Sequence, residues 1–190
     1  MALVESAPTV ARQNVGRLAE RIVANELEWH VFRVSDLNKD GLSPNADLIA
    51  AAHAKVWQIQ VKGASNLGNA LWWVQYGYCN LEIIEGRTPM FNRLDSFYKA
   101  DIVVLAAIRS PREYRCIVLT AADAENAAQI NLEHDCRTLT RRGEKKKPHK
   151  VWSYLEPAPR EHRKPPEARN LIEREREILR RGEDAWHILK

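Results

Sequence analysis

At 190 residues the chain is long enough to bury a core of its own, and the usual 100 to 200 residues per domain makes one domain with appendages the expected plan. A hydrophobic share of 45% beside 28% charged residues excludes wholesale disorder, no apolar run approaches the roughly 20 residues that span a bilayer, and the N-terminal stretch lacks the basic-then-apolar order of a secretory signal, so a cytoplasmic protein without a membrane partner is expected. The net charge of +4 and a pI near 9.0 suit a polyanionic partner without requiring one.

In chain order, the first periodic segment runs from Arg12 to Trp29, where Val15, Leu18, Ala19, Ile22, Val23 and Leu27 form one helical stripe. Glu20 falls at the edge of that stripe between the small residues Gly16 and Ala24, which leaves room for its carboxylate to reach an adjoining cleft; an ordinary solvated glutamate is the alternative. Val31 to Val34 predicts a strand, and the polar run from Ser35 to Gly41, which contains Lys39, predicts a turn.

Two further strands are expected at Ala46 to Ile49 and at Trp57 to Lys62, joined through Ala52 to Lys55 as a hairpin. Side chains alternate along a strand, so Trp57, Ile59 and Val61 point one way and Gln58, Gln60 and Lys62 the other. A hairpin of this length sets Asp47 nearly opposite Gln60, with Lys62 alongside.

An aromatic segment with Trp72, Trp73, Tyr76 and Tyr78 follows, suited either to packing or to stacking on exposed bases. Asp101 to Ile108 is a continuous β-branched and apolar run, the pattern of a strand buried on both faces; Tyr114 to Leu119 predicts its neighbour. Thr120 to Asp123 resembles a capping box opening a helix to about Leu132. Helix, strands and helix together predict an α/β sandwich with a mixed central sheet.

Arg137 to Lys150 is strongly basic; Arg141, Arg142, Lys145, Lys146 and Lys147, with Lys39, are candidate phosphate contacts, and a solvated loop is the alternative. Proline-rich residues 156–166 predict an extended linker between a domain of residues 1–155 and a helical tail of residues 167–190, carrying Leu171, Ile172, Ile178 and Leu179 and then Trp186, Ile188 and Leu189. Whether the tail docks on its own domain or on another subunit is open from sequence. Cys79, Cys116 and Cys136 are scattered singletons, as structural thiols would be.

The helix glutamate, the strand aspartate and the Gln60-Val61-Lys62 tripeptide resemble, in order and in predicted element, the PD-(D/E)XK nuclease superfamily with its restriction-endonuclease-like fold. Asn45-Ala46-Asp47 stands where the family has Pro-Asp, and Gln60 where it usually has an acid, as in the Mrr-like members; the substitution removes one negative charge. The resemblance implies a metal-dependent endonuclease similar to Mrr-like proteins or Holliday-junction resolvases, acting on DNA, with RNA not excluded, as a homodimer. In that reading Asp47, Gln60, the Val61 carbonyl and Glu20 hold Mg²⁺ or Mn²⁺, and Lys62 assists the attacking water. The alternatives are a catalytically degenerate nucleic-acid-binding module on the same fold and a protein-interaction subunit.

Overall fold

The computed structural model describes residues 7–37, 46–52, 54–79, 81–82, 90–91, 100–142 and 149–190. Helix α1 (Ala7–Trp29) buries Ala19, Ile22, Val23 and Leu27, the stripe expected from the periodicity. It closes in a Schellman turn, where the Phe32 amide donates to the Leu27 carbonyl and the Val31 amide to Glu28. Val31 takes a φ of +71° there, a conformation glycine usually supplies.

Strands β1 (Arg33–Asp36), β2 (Leu48–Ala52) and β3 (Lys55–Ser65) form an antiparallel meander. The β2–β3 pairing runs from Ala52↔Lys55 to Leu48↔Ile59, so the hairpin turns where the sequence placed it. Strand β4 (Trp73–Cys79) and the short pair β5 (Leu81–Glu82) and β6 (Met90–Phe91) follow. Strand β7 (Ile102–Ser110) lies parallel to β3, and β8 (Glu113–Thr120) returns antiparallel to β7. The result is a mixed five-stranded sheet of order β1-β2-β3-β7-β8, an α/β architecture. Residues 102–108 are buried on both faces, as their unbroken apolar run requires of an inner strand.

Alternation along the strands builds two cores. Ile59, Val61, Ile102, Val104, Ala106, Cys116 and Val118 face α1, while Val103, Leu105, Ala107, Ile117 and Leu119 face helix α2 (Ala121–Arg142) and helix α3 (Pro166–Gly182). Helix α2 opens as the capping box predicts, with the Asp123 amide donating to Thr120 Oγ1 at 3.1 Å. It runs well past Leu132, because no glycine or proline interrupts the sequence before position 143.

Strand β9 (His149–Tyr154) is an element the sequence did not announce; it pairs antiparallel with β4, with a bulge between Gln75 and Gly77. Residues 156–166 hold a 3-10 turn at Glu161–Arg163 rather than a wholly extended linker, because the Glu161 carboxylate receives both terminal nitrogens of the buried Arg176 at 3.1 and 2.8 Å. The tail docks on its own domain: Leu171, Ile178 and Leu179 enter the α2-side core, and Ala185, Trp186 and Leu189 reach the α1-side core. At the junction Gly182 presses on β8, where a Cβ would lie 2.9 Å from Ile117 Cγ2 and from the Val118 carbonyl oxygen. Among the described residues no helix is long and apolar enough to cross a membrane.

Candidate active site

The site grows out of the β2–β3 hairpin. Asp47 stands one residue before β2, in register with Gln60, and its backbone is held on both sides: its amide donates to the Ile59 carbonyl at 2.9 Å and its carbonyl accepts from the Leu37 amide at 3.0 Å. The side chain turns onto β3, where Oδ2 accepts a hydrogen bond from the Val61 amide at 2.7 Å and another from Gln60 Nε2. Gln60 is buried, which makes this bond to an ionised carboxylate a strong one.

Lys62 follows two positions along on the Gln60 face of β3 and is partly buried. Burial pushes its amine below the ordinary lysine value, and the negative charge of Asp47 opposes that shift without cancelling it. A lysine in this state gives up its proton more readily than a solvated one and still donates to an anion.

Gly63 fixes the relation of this strand to α1. A Cβ at Gly63 would lie 2.8 Å from the Ala19 Cβ and 3.0 Å from the Val15 carbonyl oxygen, so the helix crosses β3 immediately beyond Lys62. Because side chains alternate, α1 lies on the Ile59, Val61 and Gly63 side of the strand. Glu20, one residue after Ala19, is half-buried on that helix and does not share the strand face of Gln60 and Lys62. The structure thus gathers Asp47, Gln60, the Val61 backbone and Lys62 at one place, and carries Glu20 on the adjoining layer.

Oxygen donors of this kind suit a hard cation such as Mg²⁺, which retains several waters and takes one or two protein carboxylates. Among the described residues no group of three or more His, Cys, Asp or Glu side chains is placed to hold a metal. A cation here would rest on Asp47, on Gln60 turned so that its carbonyl oxygen faces inward, and on backbone oxygen. The observed Gln60 orientation presents its NH₂ to Asp47 instead, and an amide flip separates the two states.

The candidate phosphate contacts Lys39, Lys145, Lys146 and Lys147 lie outside the described residues, and so do the side chains of Arg141 and Arg142 at the end of α2. Of the aromatic segment, Tyr76 is wholly buried and Trp72 packs against the core, while Trp73 faces outward beside Trp152 and Tyr154 of β9. Cys116 is a buried thiol whose pKa burial pushes up, the inert behaviour expected of a structural cysteine.

One cluster had no sequence signal. Glu175 of α3, 2% exposed, accepts hydrogen bonds from the Tyr76 hydroxyl at 2.7 Å and from Asn131 Nδ2 at 3.2 Å. Its residues come from three distant elements, so no local pattern could reveal it. Compared with family models, curated proteins and solved structures, the chain shows no significant match.

Proposed function

We propose that the chain is a metal-dependent phosphodiesterase acting on DNA, an endonuclease with a restriction-endonuclease-like site and Gln60 in the acidic position. The observation that carries this reading is the meeting of Asp47, Gln60 and a partly desolvated Lys62 on one hairpin. In this reading Asp47, the turned Gln60 amide and the Val61 carbonyl would hold Mg²⁺ or Mn²⁺, which when bound offsets the charge developing on the phosphoryl oxygens. Lys62 orients the attacking water, accepts its proton or hydrogen-bonds the oxygen that carries it, and stabilises negative charge as the new P–O bond forms and the old one breaks. Two copies acting as a homodimer would place one such site on each strand of a duplex.

A second reading has its own observation. The Gln60 NH₂ already donates a hydrogen bond to the Asp47 carboxylate, which is how a site without a cation would be satisfied. That geometry supports a catalytically degenerate nucleic-acid-binding module on the same fold. Incubating supercoiled plasmid, single-stranded DNA and a four-way junction with Mg²⁺ or Mn²⁺ separates the two. Cleavage by the wild-type chain that is lost in Asp47→Ala is expected; binding without cleavage under every metal condition would favour the module.

A further inference from the structure

The β4–β9 ribbon turns one face inward to the core, through Val74, Tyr76 and Val151, and leaves the other to solvent. On that outer face Trp73, Trp152 and Tyr154 meet edge to face, with ring centroids 6.1 Å apart for Trp73–Trp152 and 5.0 Å for Trp152–Tyr154. Lys150 sits on the same face by alternation, its amine 4.3 Å from the centre of the Trp73 ring. With Asn69 these four residues line an open hollow of about 250 Å³.

Core packing does not account for this arrangement. Trp152 is 38% exposed and stands between Trp73 and Tyr154, so three rings cluster on the face of the ribbon that points away from the core. The Trp73 backbone is also anchored. Asn66, wholly buried just past the end of β3, donates to the Trp73 carbonyl at 2.9 Å and accepts from the Trp73 amide at 2.7 Å. Asn66 also ties the platform to the strand bearing Gln60 and Lys62, about 13 Å along the chain from Lys62 at the usual rise per residue.

We infer that Trp73, Trp152, Tyr154 and Lys150 form a binding site for unpaired bases of single-stranded DNA, the rings stacking on bases and the lysine meeting a phosphate. The hollow is smaller than the roughly 300 to 1,000 Å³ of clefts that enclose drug-sized ligands, and it is open, as a surface that receives one planar base at a time must be. The cation at its rim and the chain's net charge of +4 favour a polyanion over a neutral ligand such as an oligosaccharide. The choice of DNA rests on the nuclease reading and narrows its substrate to DNA with an unpaired segment, such as a junction, a flap or a single strand.

The test is anisotropy of a labelled twenty-nucleotide oligo-dT titrated with the full-length chain in EDTA, so that binding is read without cleavage. Binding is expected, and Trp152→Ala should weaken it roughly ten- to a hundredfold, with Trp152→Phe recovering most of the loss. Lys150→Gln should make the log–log salt dependence shallower by about 0.7. Thermal melts of each variant show that the fold is kept, and Tyr154→Ala serves where Trp152→Ala fails to fold. The inference is overturned if Trp152→Ala and Tyr154→Ala both bind within about twofold of wild type, if a duplex of equal length binds as tightly, or if oligo-rU binds more than tenfold tighter. Ring-dependent oligo-dT binding by a chain that never cleaves would sink the nuclease reading and leave this site standing.

Discussion

The hydroxyl of Tyr76 on β4 donates to the carboxylate of Glu175 on α3 at 2.7 Å, across a contact from which water is excluded at both ends. This bond joins the aromatic ribbon to the C-terminal helix and adds a polar tie to the apolar docking of Leu171, Ile178 and Leu179. Burial pushes the Glu175 carboxyl up to about 7, against the hydrogen bonds from Tyr76, Asn131 and Ser153 that favour its charged form.

A stability profile against pH follows. Between the unfolded glutamate value near 4.5 and about 7 the folded state holds a proton that the unfolded state has lost. Stability attributable to Glu175 is therefore greatest below the unfolded value, declines as pH rises to about 7, and is level above it; the full span is of order 3 kcal/mol. Glu175→Gln removes the titration, so denaturant melts at pH 5 and pH 8 should differ less in the variant than in wild type. Asn131 Oδ1 is buried without a hydrogen-bond partner and can accept from the Gln amide or from the protonated acid once its own amide turns. An unchanged pH profile in the variant would place the titrating group elsewhere.

Lys62→Met keeps the volume of the side chain and removes its charge and proton. Cleavage should fall by more than about a hundredfold, while the melting temperature stays within a few degrees of wild type. Burial holds the wild-type amine below its ordinary value, so single-turnover cleavage should rise with pH through that lowered pKa and then level. Retained cleavage in Lys62→Met would remove Lys62 from the chemistry.

Replacing Gln60 with an acid tests whether the site is built for a cation. In Gln60→Glu the hydrogen bond to Asp47 is lost and two carboxylates face each other, so the metal-free variant should melt below wild type. Mg²⁺ should raise the melting temperature of Gln60→Glu more than that of wild type, since a ligand that binds only the folded state stabilises it in proportion to its affinity. Equal responses to Mg²⁺ would show that no cation rests between positions 47 and 60.

The close approach of α1 to β3 has its own consequence. Gly63→Ala sets a methyl group 2.8 Å from the Ala19 Cβ and 3.0 Å from a backbone oxygen that cannot swing away. Overpacking of this kind costs about 1 to 3 kcal/mol, so urea melts should shift down by that amount. Cleavage should fall as well, through displacement of the strand that carries Lys62. A variant as stable as wild type would mean that α1 yields readily.

How much was legible in sequence divides by range. The α1 stripe, the β2–β3 hairpin with Asp47 opposite Gln60, the doubly buried β7 and the cap at Thr120 all rest on patterns a few residues long, and the structure reproduces them. Periodicity and turn chemistry suffice there, because neighbours in the chain are neighbours in space. Tertiary structure alone decided the rest. The pairing of β4 with β9, which turns Trp73 toward Trp152 and buries Tyr76, joins segments with no local signal for one another. It also decided that α1 lies across β3 from Lys62, and that the tail folds back so that Glu175 meets Tyr76. Those relations come from which apolar faces find each other once the chain collapses, and a one-dimensional pattern records each face without naming its partner.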